Sequence, residues 1–352
     1  MKQFKVHPVT SIFADVNADL EQITSKGRWS NAQKVELRKG LEQGVDVSEY
    51  ANPRMNAKKM RCIRLYLLSG KTLDLNALIK MADYQLDEID KGLESGVDVS
   101  AYADPKYAAW QMGEIRKGLE SGVDVSAYAD PQFGSFQMDQ IRKGLESGVD
   151  VSVYADPSYA SLQMEQIRLG LESGVDVSVY ADPENYNGRM KEIRLGLESG
   201  VDVSVYTDPE YDAGQMKQIR LGLESGVDVS AYADPKYAAW QMGELRKGLE
   251  SGVDVSVYTD PKFDDGQMYQ IRQGLESGID VSVYTDPKFD EGQMKQIRLG
   301  LESGVDVSDY VDSRHEPKGR GSKPTSTSRK KRPDPFQQYV DKQGRSWTGE
   351  KL

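Results

Sequence analysis

The chain has 352 residues, of which 38% are hydrophobic and 29% charged; that describes a polar, folded protein rather than a membrane-embedded or wholly disordered one. No apolar run approaches the ~18–20 residues of a membrane helix, and residues 1–30 hold no uninterrupted apolar stretch, so no secretory signal is expected and the location is read as cytoplasmic. One cysteine, Cys62, permits no internal disulfide, and two histidines, His7 and His315, leave little for a zinc site, so no metal or other cofactor is expected.

Charge divides the chain. Residues 313–352 carry eleven Lys/Arg against four Asp/Glu, a net +7, while residues 1–312 carry 34 against 52, a net -18. Any affinity for a phosphate backbone therefore belongs to the tail.

Residues 1–27 read as an irregular N-terminal cap in which Phe4, Val6, Ile12, Phe13, Val16, Leu20 and Ile23 cover the first exposed apolar stripe. Residues 28–312 are a tandem repeat. The segment Gly-Leu-Glu-Ser-Gly-Val-Asp-Val-Ser begins at Gly92 and returns at multiples of 26 residues up to Gly300, with Gly274 opening a unit that has Ile279 in place of valine. Gly40 opens a related unit two periods earlier, and between them Tyr66 stands where the glycine belongs. Eleven units result. Two of them, Ala101–Ser126 and Ala231–Ser256, differ only at Ile115 against Leu245.

Each unit predicts one helix and a short return. Around Phe263, Asp264 caps, Gln267 answers as its N3 partner and Phe263 staples onto Met268. Met268, Ile271 and Leu275 then make one apolar stripe, and Gly278 supplies the left-handed stop. In the return, Asp280 or Ser282 caps a single helical turn, and Pro287 keeps Asp286 extended. No unit covers its own stripe, so units stack into an all-α solenoid. The competing expectation is a β/α solenoid in which Ile279, Val281 and Val283 alternate as a short parallel strand.

Gln163-Met164-Glu165-Gln166-Ile167-Arg168-Leu169-Gly170-Leu171-Glu172-Ser173-Gly174-Val175-Asp176-Val177-Ser178-Val179-Tyr180-Ala181 resembles the repeat of a class of bacterial helical-repeat proteins, frequent in mobile-element proteins of gut Firmicutes. The Leu-x-x-Gly-x-Asp-Val turn is similar to ankyrin punctuation, while the period is shorter and the Thr-Pro-Leu-His signature is missing. The resemblance covers about four fifths of the chain and implies a bacterial repeat protein, with no particular activity attached.

Most recurring polar residues have structural readings. An arginine two positions before each first glycine, as at Arg116, Arg142 and Arg168, predicts an ion-pair ladder with repeated acids such as Glu120, Glu146, Asp124 or Asp150; Asp90 is the exception. Gln111 and its equivalents read as capping partners, Tyr102 and its equivalents as filling between units with the hydroxyl at a polar edge, and Asp98, Ser100 and Asp104 as caps rather than calcium ligands. No nucleophile elbow, phosphate-binding glycine loop or His/Cys cluster is present, so an enzyme is not expected.

Binding is expected where units differ. The positions eight, five and one before the first glycine share one helix face and vary together. Protein-binding candidates on it are Trp110, Lys117, Phe136, Lys143, Leu162, Leu169, Leu195, Leu221, Trp240, Lys247, Tyr269 and Leu299. Aromatic anchors beside lysines suit protein recognition; the competing reading is volume compensation against neighbouring units. Residues 313–335 read as a basic disordered linker, with Lys323, Arg329, Lys330, Lys331 and Arg332 as candidate nucleic-acid contacts. Residues 336–352, with Phe336, Tyr339, Val340 and Trp347, read as a tail holding a short linear motif. The resulting expectation is a monomeric, non-catalytic scaffold that binds another protein. The alternative is a mobile-element accessory protein whose tail contacts DNA while the acidic solenoid recruits a protein or mimics DNA.

Overall fold

The structure, a computed structural model, describes residues 9–70, 75–308 and 311. Phe4, Val6, the side chains of Ile12 and Phe13, Tyr310, the basic residues from Lys323 to Arg332 and the 336–352 tail lie outside what it describes.

The described residues are all-helical, with no strand among them. The chain divides into two units. Residues 1–194 hold α1 (Val9–Thr24), α2 (Asn31–Glu42), α3 (Ala57–Ser69), α4 (Leu75–Lys80), α5 (Asp83–Ser95), α6 (Ala109–Ser121), α7 (Ser135–Ser147) and α8 (Ser161–Ser173), and α9 (Asn187–Ser199) begins there. Residues 195–352 hold the remainder of α9 with α10 (Ala213–Ser225), α11 (Ala239–Glu250), α12 (Asp265–Glu276) and α13 (Glu291–Glu302). Within each unit successive helices pack on their sequence neighbours in a solenoid-like arrangement. Of the expected stripe on α12, Met268 and Ile271 are fully buried, as are Met138 and Ile141 of α7, whereas Leu275 is only half-buried and Gly274, under the Tyr284 ring, takes the third buried place.

The return is a 3-10 turn, not a strand. Val281–Val283 forms one such turn after Asp280, whose carboxylate accepts from the Ser282 amide at 3.0 Å. Residues i and i+3 share a side in this geometry, which is why Val281 and Tyr284 are both buried while Val283 is only partly covered. Alternating valines therefore mark a tight helical turn here, and the β/α alternative fails on that residue pattern.

Two local differences from the sequence reading stand out. The N-terminal cap is a regular 16-residue helix, α1, with Val16 and Leu20 buried. The unit after α3 replaces the 3-10 turn with the short helix α4, whose Leu78, followed by Met81, is fully buried. In that unit Tyr66 occupies the usual glycine position and Asn76 the usual tyrosine position, so both members of a packing pair have changed together.

Candidate functional site: a satisfied interior and a variable outer face

The interior lattice explains which residues are free to do anything else. In the first unit, Gln111 Oε1 accepts from the Ala108 amide at 2.7 Å, which supplies the N3 half of a capping box. Its Nε2 donates to the carbonyls of Pro131 and Phe133, at 3.1 and 2.7 Å, on the segment that leads into α7. The glutamine is thus both a cap and a strap onto the next repeat. The second unit repeats this with Gln241, bonded to Ala238, Pro261 and Phe263. Sequence reasoning finds the cap and misses the strap, because the strap's acceptors are backbone carbonyls 20 and 22 residues downstream.

The arginines behave similarly. Arg116 Nε donates to Glu88 of the preceding helix at 2.9 Å, and its Nη1 to Glu120 of its own helix at 2.7 Å. Arg142 repeats this with Glu114 and Glu146, whereas Arg168 and Arg194 turn to the amide oxygens of Gln140 and Gln166. In the second unit Arg246 pairs with Gln218, Arg272 with Glu244 and Arg298 with Gln270. The recurring ion pair is the one with the Glu four residues on in the same helix, as at Arg116 and Glu120; the contact to the preceding helix is ionic at Arg116, Arg142 and Arg272 and neutral at Arg168, Arg194, Arg246 and Arg298, and Asp124 and Asp150 cap 3-10 turns instead. Asp90 fits the rule by inversion: the preceding acceptor position holds Cys62, and Arg61 on α3 reaches Asp90 and Glu94.

Serine and tyrosine close the lattice. Ser121 donates to Glu146 and Ser147 to Glu172, each at 2.7 Å. Burial opposes ionisation of Glu146, yet hydrogen bonds from Ser121 and Arg142 more than offset it and hold the carboxyl below its usual range. Tyr102 points its hydroxyl inward, not to a polar edge: it donates to the Glu88 carbonyl at 3.1 Å and fills the space above Gly92. Burial pushes Tyr50 up to about 12, and does the same to the Cys62 thiol. The buried thiol therefore stays protonated and is no nucleophile. Among the described residues, no three His, Cys, Asp or Glu side chains are placed to hold a metal ion, and no helix is long and apolar enough to cross a membrane.

The outer face is built on this frame. In the first unit Trp110 is 81% exposed, Phe136 78% and Leu162 54%. Tyr84, at the same register on α5, is 78% exposed and extends the row; the sequence pattern already contained it one period before Trp110. Leu169 is half-buried, so it belongs more to the packing. Lys117 and Lys143 are exposed and pair with Glu114 and Asp139, at 2.6 and 2.7 Å. Shallow grooves of about 400 and 450 Å³ lie between these ridges, one between Tyr84 and Trp110, the other between Trp110 and Phe136.

The second unit's face is flatter. Gly214, Gly266 and Gly292 hold the row position that aromatics hold in the first unit. Trp240 is 47% exposed beside Tyr269, which is 41% exposed and receives Arg272 over its ring at 5.3 Å. Lys247 is exposed and pairs with Glu244 at 2.7 Å. Leu195 and Leu221 are half-buried, while Leu299 lies at the margin of exposure. Of the twelve candidates, the aromatics, the lysines and Leu162 stand out from the frame, and the three half-buried leucines of α8 to α10 side with volume compensation. No protein-family model, curated protein or solved structure matches the chain.

Proposed function

We propose that this protein is a non-catalytic repeat scaffold that binds another protein through the variable helix face, chiefly through Tyr84, Trp110, Phe136 and Leu162 in the first unit and Trp240 and Tyr269 in the second. The observation that carries this is the row of large apolar side chains held out to solvent by a lattice whose own polar groups are all used; no buried side-chain nitrogen or oxygen among the described residues lacks a partner. Folded chains seldom present a contiguous apolar row unless something covers it. Arginine, glutamine and tyrosine are taken up by the frame, so the chemistry left on the surface is aromatic and lysine contact, which suits polypeptide recognition. A cytoplasmic location, and the bacterial mobile-element setting suggested by the resemblance of the repeat, belong to the same proposal.

The test is affinity capture from a native lysate with the full-length chain, before and after nuclease treatment. A protein that stays after nuclease treatment and is lost with Trp110→Ala plus Phe136→Ala, or with Trp240→Ala plus Tyr269→Ala, supports the reading. Retention indifferent to all four substitutions sinks it, as does capture that disappears with the nucleic acid.

A further inference from the structure

The second unit holds one hollow whose charge the frame does not use, and we propose that it is occupied by the basic run Arg329–Arg332 of the same chain. This takes the surface around Trp240 from the docking reading above and makes the chain's own tail the competitor for it.

The hollow, about 420 Å³, lies among α11, α12 and α13. Trp240 and Tyr269 are its aromatic walls, 47% and 41% exposed, and Gly243 and Gly266 leave the space between them open. Glu291 lies across Gly266, so close that a Cβ there would meet its carboxylate at 2.6 Å. Asp265 stands next to Gly266 at the first position of α12, as Glu291 does at the first position of α13.

These two carboxylates set the hollow apart. The grooves of the first unit are also lined by acids, but Asp87 pairs with Lys58, Glu88 with Lys91 and Arg116, Glu114 with Lys117 and Arg142, and Asp139 with Arg142 and Lys143. In the second unit Glu244 is likewise engaged by Lys247 and Arg272, and Arg246 by Glu250. Asp265 and Glu291 pair with nothing among the described residues. Nor does the repeat require them, since the same position is Ala109, Ser135, Ser161, Ala213 and Ala239 in α6, α7, α8, α10 and α11. A helix dipole favours an acid at such a position, but it does not call for aromatic walls beside it. Free carboxylates next to exposed rings are the chemistry that receives a guanidinium or ammonium group. Tyr269 already takes Arg272 over its ring at 5.3 Å, while the cations that stand over rings among the described residues leave Trp240 uncovered.

Where the chain leaves the fold decides which cation arrives. The return after α13 keeps its geometry as far as Val311, whose amide donates to Val307 as that of Thr285 does to Val281. Each return carries the chain back to the end at which the next helix starts. The tail therefore departs from the end that Asp265 and Glu291 occupy, one to two helix spacings away, or roughly 10–20 Å. Arg329 is eighteen residues beyond Val311, and a connection rich in Gly, Ser and Thr spans roughly 21–25 Å in r.m.s. terms at that length. Reach matches span, which holds the run at an effective concentration on the order of mM. Four consecutive cations at that concentration fill a site that offers only a weak contact. Docking covers Trp240 and Tyr269 and withholds Arg329–Arg332 from phosphate backbones, so a partner in the hollow frees the tail and nucleic acid on the tail frees the hollow.

Carbodiimide coupling of the full-length chain, which joins an amine to a carboxylate in contact with it, reads the placement by peptide mass spectrometry. Lys330 and Lys331 should couple chiefly to Asp265 and Glu291. In a mixture of isotope-labelled and unlabelled chains, the joined peptides should come from one chain. Coupling should fall about threefold or more in Trp240→Ser with Tyr269→Ser, which leaves both carboxylates in place. Trypsin gives an independent measurement: initial cleavage from Arg329 to Lys331 should quicken about threefold or more in Asp265→Asn with Glu291→Gln, while cleavage at Lys318 and Arg320 stays the same. Coupling spread over the acids of the whole body, joined peptides from two chains, or cleavage indifferent to the acid substitutions overturns the proposal. Coupling absent while capture of another protein still depends on Trp240 and Tyr269 leaves the docking reading standing without the tail. Coupling present while capture is indifferent to those residues leaves the tail in the hollow and removes the partner.

Discussion

Helices α6 and α11 are nearly the same helix in two settings. They share the sequence Ala-Trp-Gln-Met-Gly-Glu-x-Arg-Lys-Gly-Leu-Glu, with Ile115 in one and Leu245 in the other, and both of those side chains are fully buried. Their interior bonds are the same in kind: a glutamine cap and strap, a tyrosine over a glycine, an arginine reaching back one helix. Their outer faces differ. Trp110 is 81% exposed and Trp240 47%, and the neighbouring helices differ on both sides: Tyr84 and Phe136 flank Trp110 in register, Gly214 and Gly266 flank Trp240, and Tyr269 lines the same hollow as Trp240. The repeat fixes the interior, and the neighbour fixes the face.

The largest test of the shared interior is the glycine. A Cβ on Gly118 would lie 1.9 Å from Tyr128 Oη, and one on Gly248 2.0 Å from Tyr258 Oη. Gly118→Ala and Gly248→Ala should therefore each cost about 2–3 kcal/mol by overpacking, and by similar amounts. Removing the hydroxyl should ease only the worst contact, since Val125 Cγ1 at 3.0 Å and Tyr128 Cζ at 3.2 Å still press on the added carbon. Urea unfolding of Gly118→Ala with Tyr128→Phe should then recover part of the loss, a favourable coupling in the double-mutant cycle. Unequal costs at the two glycines would mean that the interiors are not equivalent.

Next is the strap. Gln111→Glu and Gln241→Glu keep the acceptor for the N-cap amide but remove the donor to two carbonyls. Leaving those carbonyls unanswered should cost about 1–2 kcal/mol, more at Gln241, which is only 4% exposed. Chemical denaturation of the pair measures the difference. A larger cost at Gln111 would contradict the burial argument.

How much of this the sequence disclosed follows from where each partner lies. The 26-residue period, the caps, the glycine stops and the buried stripe all rest on residues within one helix, so they are legible from spacing alone. The glutamine strap and the backward arginine contact join residues 20 to 28 positions apart, and no local pattern marks them. Their traces are in the exceptions: Asp90 replaces arginine one period after Cys62 replaces the usual Glu or Gln acceptor, and Tyr66 replaces glycine where Asn76 replaces tyrosine. The variable face is legible as variation, but its exposure depends on the neighbouring repeats, which differ around Trp110 and Trp240 although their own helices are nearly identical.

Acid should expose a smaller contribution. Burial opposes ionisation of Glu120, but hydrogen bonds from Arg116 and Ser95 outweigh it and hold its carboxyl below the usual glutamate range. A depressed carboxylate stabilises the fold fully above the unfolded value, and that contribution is lost as pH falls through the folded one. Glu120→Gln should thus be less stable than the parent at neutral pH, with the two converging below pH 4.5. Denaturant titrations across that window test the sign; curves that diverge on acidification would refute it.

The smallest stability effect, and the one that separates the twins most clearly, comes from the tryptophans. Trp110→Ala removes a ring that mostly meets water, so unfolding should change by no more than ~0.5 kcal/mol. Trp240→Ala removes a ring about half covered by its surroundings, and the lost burial should cost about 1 kcal/mol. Binding should invert that order in the first unit's favour. A ring that contributes little to its own fold and stands free above a groove has its apolar area still to bury, so Trp110→Ala should weaken association far more than it weakens folding. Thermal unfolding of both variants, paired with partner capture by each, places folding and binding on separate axes. If Trp110→Ala instead destabilises the monomer as much as Trp240→Ala does, the exposed ring is part of the packing, and the division between a constant interior and a free face collapses at its most prominent residue.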